Sequence, residues 1–82
     1  NHKKVNILVY PNPGTEMLHI QKLSADFKAW KCVISDISGK NVYSALVIDD
    51  IQKIDIQSWQ KGIYFISVYL ENQVVSRKFV KQ

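Results

Sequence analysis

One cysteine, three glycines and two prolines are all that the 82-residue chain holds of the residue types that most often fix unusual chemistry. A lone Cys32 cannot close an internal disulfide, and it alternates with Trp30 and Ile34, so it is expected to face the core as a small hydrophobe. Such a thiol says little about compartment. Three glycines leave no phosphate-cradling loop. Ser38 beside Gly39 reads as a turn, because the Gly-x-Ser-x-Gly frame of a nucleophile elbow is absent. No carboxylate pair forms a hydrolytic dyad, and His2, His19 and Cys32 lack zinc spacing. Asp49, Asp50 and Asp55 lack the ligand periodicity and turn glycine of a calcium loop. Neither a catalytic residue, a cofactor nor a metal is therefore expected. No apolar run reaches the ~18 residues of a membrane span. Asn1 begins no signal peptide, and the missing initiator Met suggests a fragment or processed product of something longer.

The net charge of +4 is mild. Lys3 and Lys4 lie at one end, Arg77, Lys78 and Lys81 at the other, and Asp49, Asp50 and Asp55 between them. A nucleic-acid binder would carry a denser basic stripe, so no nucleic-acid partner is expected. A hydrophobic fraction of 46% argues against disorder. A chain of this size buries only roughly 60% of its unfolded surface, so one domain of modest stability is expected.

Val5 to Tyr10 reads as a strand with Val5, Ile7 and Val9 on one face. Pro11-Asn12-Pro13-Gly14 ends it, since two prolines remove two backbone donors and fix two φ angles. Leu18 and Ile20 resume the alternation, with Met17 and a solvent-facing His19 opposite. Leu23, Phe27, Trp30 and Ile34 fall at helical spacing, but Trp30, Cys32 and Ile34 also alternate at period two. The reading adopted is a loop at 23–27 and a strand at about 28–35. Asp36-Ile37-Ser38-Gly39-Lys40 is a hairpin signal: Asp36 can bond backbone two residues on, and Gly39 can supply positive φ. The returning strand, about 40–47, sets Val42, Ser44 and Leu46 against Tyr43 and Ala45. Asp49-Asp50 make a polar turn, and Ile54 and Ile56 alternate around Asp55 before a corner at Ser58 to Gly62.

The longest apolar run follows that corner. Tyr64, Ile66, Val68 and Leu70 share one face and Ile63, Phe65, Ser67 and Tyr69 the other, which reads as a central strand covered on both faces. The spacing Trp59-x-x-Gly62-x-Tyr64 resembles the tyrosine corner of immunoglobulin-like sandwiches. Val74 to Lys81 makes the last strand; its alternation is broken by Arg77, Lys78 and Lys81, which a bulge near Ser76 or an edge position would explain. About seven short strands with turn signals every ~8–12 residues indicate an all-β, immunoglobulin-like antiparallel sandwich. Trp30 and Trp59 are expected in the core, with a sugar-binding platform of Trp30, Trp59, Tyr43, Tyr69 and Phe27 as the competing reading.

Taken together, Tyr10-Pro11-Asn12-Pro13 followed by Leu18-x-Ile20, then Ile34-x-Asp36-x-x-Gly39-Lys40-x-Val42, Ile54-Asp55-Ile56, Gly62-x-Tyr64 and Lys78-Phe79-Val80-Lys81, resemble a known family. It is the C-terminal sorting domain, type A, of proteins exported by the type IX, or Por, secretion system of Bacteroidetes. The resemblance runs from Val9 to Gln82; Trp59 stands where that family usually has Leu, and Ser35 where an aromatic often precedes the Asp. It implies a secretion signal at the end of a larger cargo. The cargo would reach the periplasm by its own N-terminal signal peptide and cross the outer membrane to the cell surface or medium. The domain would dock on translocon and outer-membrane shuttle or sortase proteins, and a surface sortase would remove it. Val75, Arg77, Lys78, Phe79, Val80 and Lys81 of the last strand are the expected recognition residues, read by strand addition with the lysines steering encounter. Weak self-association through the same edge is a further expectation. Tyr10, Pro11, Asn12, Pro13, Asp36, Gly39, Lys40, Gly62 and Tyr64 are expected to hold the fold. The alternative is a fibronectin-like or carbohydrate-binding module appended to an extracellular enzyme.

Overall fold

Alternating apolar residues separated by turn signals fold into two antiparallel sheets packed face to face in this computed structural model, which describes residues 6–11, 14–23, 29–70 and 73–82. Seven strands follow one another: β1 (Ile7–Tyr10), β2 (Met17–Lys22), β3 (Trp30–Asp36), β4 (Asn41–Val47), β5 (Ile51–Asp55), β6 (Gly62–Leu70) and β7 (Gln73–Lys81). One sheet has the order β1-β2-β5 and the other β4-β3-β6-β7. The run β3-β6-β7 reproduces the C-F-G order of immunoglobulin-like sandwiches, with β4 added beside β3. The expected loop at 23–27 lies largely outside the described residues.

The core is the set of inward residues that the alternation marks. Leu18, Ile20, Trp30, Cys32, Ile34, Ile54, Ile56, Tyr64, Ile66, Val68, Leu70 and Phe79 are buried, with Ile7 and Val47 at its margin. Trp30 is enclosed and its indole Nε1 donates to the Asp49 carbonyl at 2.9 Å, so its one polar atom is satisfied. Burial pushes the Cys32 thiol up to about 12.

Four expectations need correction. The outer face of β6 is not covered: Phe65 and Tyr69 are exposed, and among the described residues no element packs over this side of the sheet. Of the two explanations for the broken alternation of the last strand, the edge position holds and the bulge near Ser76 does not. β7 ends its sheet and its register with β6 is unbroken from Gly62↔Lys81 to Leu70↔Gln73, while the irregularity lies between Ile34 and Ser35, opposite the bulged β4. Trp59 is only half-buried, lying against the Tyr64 ring with centroids 5.0 Å apart. His19 is half-buried rather than solvent-facing, because its ring stacks on Tyr10 at 5.0 Å.

Candidate recognition surface

Three devices converge at one end of the sandwich. The first is the hairpin between β3 and β4. Asp36 Oδ1 accepts from the Ser38 amide (2.9 Å), the Ser38 hydroxyl (2.6 Å) and the Lys40 amide (3.0 Å). The Ser38 hydroxyl bond, with the amides of Lys40 and Ser38 behind it, holds the Asp36 carboxyl below its usual range. Gly39 turns the chain at φ +90°. The second is the corner before β6, where the Tyr64 hydroxyl donates to the Gln60 carbonyl at 2.6 Å and Gly62 takes φ +146°. Asp36 and Tyr64 are register partners, so hairpin and corner adjoin.

The third device joins the two ends of the described chain. Gly14 forms a parallel bridge to Lys81: its amide donates to the Val80 carbonyl at 3.0 Å, and its carbonyl accepts from the Gln82 amide at 2.8 Å. A side chain could not sit there. A Cβ on Gly14 would lie 2.9 Å from the Pro11 carbonyl oxygen and 3.1 Å from the Phe79 ring. The glycine that closes the Tyr10–Gly14 segment therefore seats the segment on β7. Tyr10 contributes by stacking on His19, and Pro11 by the carbonyl that crowds Gly14. Asn12 and Pro13 lie outside the described residues. Nothing in the residue pattern alone marks Gly14 as more than a turn glycine, because its partner is 67 positions away (81 − 14).

These devices divide β7, an edge strand of its sheet. Phe79 is fully enclosed and Lys81 is buried, its Nζ donating to the Gln82 carbonyl at 3.0 Å. In the folded domain neither side chain is presented to a partner: inward parity sends the Phe79 ring into the core, and Gly14 covers Lys81 from the edge. Val80 is half-buried opposite Ile63, and Val75 packs against the core margin. Arg77 and Lys78 are exposed. Arg77 shares the inward parity of Phe79 but reaches past the core, donating from Nη2 to Asn6 Oδ1 at 3.1 Å and so tying one sheet to the other. Lys78 stands on the outer face opposite Phe65.

Among the described residues no three His, Cys, Asp or Glu side chains come together as metal ligands. Asp50 sits 3.8 Å from the ammonium of Lys22, whose side chain is buried, a partnership its sequence neighbours do not announce. The enclosed Trp30 cannot join a sugar platform, and the shallow cleft between the hairpin and the corner, of about 130 Å³, is lined by Asp36, Ser38, Gln60 and Lys61 without a reactive pair.

The class that the fold defines is a small immunoglobulin-like sandwich, here with its last strand stapled by Gly14. The chain is a member of the family described as the secretion system C-terminal sorting domain, whose profile matches residues 8–82. This family is the C-terminal sorting signal of type IX secretion, which is not a catalytic domain. No curated protein matches the chain.

Proposed function

We propose that the folded domain, at the end of a longer cargo, is read along β7 by outer-membrane components of the type IX machinery, and that a surface sortase then removes it. One observation carries this reading: β7 is an edge strand whose last residues are locked by Gly14 while Arg77 and Lys78 stay exposed upstream of the lock. A partner strand could add to that edge, main-chain bonds supplying affinity and the two cations steering the encounter. Phe79, Val80 and Lys81 serve the same end indirectly, by fixing where the strand lies. The domain performs no catalytic step of its own, and its route runs through the periplasm to the cell surface.

Residues 1–82 fused behind a reporter bearing a periplasmic export signal, in a bacterium with a type IX system, test the reading. The reporter should reach the surface or medium, and retention in the periplasm would overturn it. The reversal Lys78→Glu tests the strand: export should fall while stability moves by no more than about 0.5 kcal/mol in urea unfolding, as for most exposed substitutions.

A further inference from the structure

The outer face of the β4-β3-β6-β7 sheet is left in water although much of it is apolar. One register row crosses all four strands as Leu46, Lys31, Tyr69 and Val74. Leu46 is 72% exposed, Val74 59% and Tyr69 44%. Two rows along, Phe65 is 42% exposed, between Ser35 and Lys78. At about 3.4 Å per residue the two β6 aromatics stand ~14 Å apart, each with a lysine directly across the ladder, on opposite sides. Exposed apolar side chains grouped on one sheet face in this way are the composition of an interaction surface.

Charge on the two outer faces differs. The outer face of the other sheet carries both signs, with Lys53 and Asp55 on β5. On the four-stranded sheet the described outward positions carry Lys31 and Lys78 and no carboxylate. The row between the aromatics holds Ser67 and Ser76. Hydroxyls pressed into hydrocarbon would lose water without gaining a partner, whereas a protein surface can bond them. The face thus fits a protein better than a lipid.

We propose that this face docks on a protein surface of the type IX machinery that offers apolar side chains to the Leu46–Val74 row and a carboxylate to Lys31. The proposal rests on the sorting reading above and adds a second surface, distinct from the β7 edge. Lys31 and Leu46 separate the two, because they lie on β3 and β4, away from that edge.

A full-length cargo ending in this domain would be expressed in a type IX host as wild type, Lys31→Glu, Leu46→Ser and, on the opposite sheet, Leu8→Ser. Lys31→Glu and Leu46→Ser should each cut surface delivery at least tenfold, with cargo accumulating in the periplasm and an unchanged urea midpoint for the 82-residue chain; Leu8→Ser should export normally. Normal export of both face variants would overturn the face while leaving sorting intact. Failure of the wild type to export would sink the sorting reading instead. Co-sedimentation with vesicles of phosphatidylglycerol and phosphatidylcholine that both face variants abolish would assign the face to lipid and overturn a protein partner.

Discussion

The two ends of β7 obey different physics. Its second half is held on both sides, by β6 through Gly62↔Lys81 and Tyr64↔Phe79 and by Gly14 on the outer edge, with Phe79 enclosed beneath. Its first half has β6 on one side, an exposed Val74 and a cation that leaves the core to reach Asn6. A strand meant only to complete a sandwich needs no such division. On the proposed reading, a strand recognised without unravelling needs a fixed end and a presented end. Removing Val80 to Gln82 therefore tests folding as much as recognition, and side-chain changes in the presented half are the cleaner probe.

Phe79→Ala should produce the largest effect, roughly 3–5 kcal/mol, comparable with the whole stability of a small domain. Urea unfolding followed by circular dichroism should find little folded protein, and a variant that unfolds at the wild-type midpoint would erase the division. Gly14→Ala comes next, at about 1–3 kcal/mol, because the new methyl meets a backbone oxygen and the Phe79 ring. Its signature is local: the Gly14 and Gln82 amides should exchange with solvent faster, while those of β3 keep their protection. Tyr64→Phe removes one part-buried hydrogen bond at the closed end and should cost roughly 0.5–1.5 kcal/mol. Export should then drop only as far as the domain unfolds; a stable Tyr64→Phe domain that is not exported would make Tyr64 a recognition residue. Val74→Ser, in the presented half, should shift stability by no more than about 0.5 kcal/mol.

Cys32 reports on the presented half from beneath, since it pairs with Val68, which pairs with Val75. Its thiol pKa is raised from 9.0 to about 12 in the folded state. The protonated thiol is the form the fold favours, so this contribution is intact below pH 9 and is lost as pH climbs towards 12. Alkylation by iodoacetamide at pH 8 should be slow in the wild type and in Val74→Ser, and fast in Phe79→Ala.

Much of the sandwich was legible in the chain because its information is local. Period-two alternation placed Leu18, Ile20, Trp30, Cys32, Ile34 and the inward face of β6 correctly, and the Asp36–Lys40 turn carries its own hydrogen-bonding side chain. What stayed hidden depends on contacts remote in sequence. An apolar strand buried on both faces and one with a sticky outer face share a composition, so Phe65 and Tyr69 could not be sorted from Ile66 and Val68 by content. Arg77, Phe79 and Lys81 share a parity, and only the position of Gly14 and the sheet margin decide that one reaches out while two are enclosed. The recognition residues were therefore named as a block, where the structure separates those that hold the strand from those that meet solvent.

The Gly14–Lys81 bridge also reports whether β7 is seated. Its partners are separated by nearly the full length of the sequence, so loop closure weighs heavily against it and it belongs among the slower events of folding. A chain broken between Gln73 and Val80 would keep β1 to β6 and still lack the Val80 carbonyl and the Gln82 amide that hold Gly14. A partner that binds only the latched form would thereby accept domains whose last strand is seated and pass over those in which it is loose.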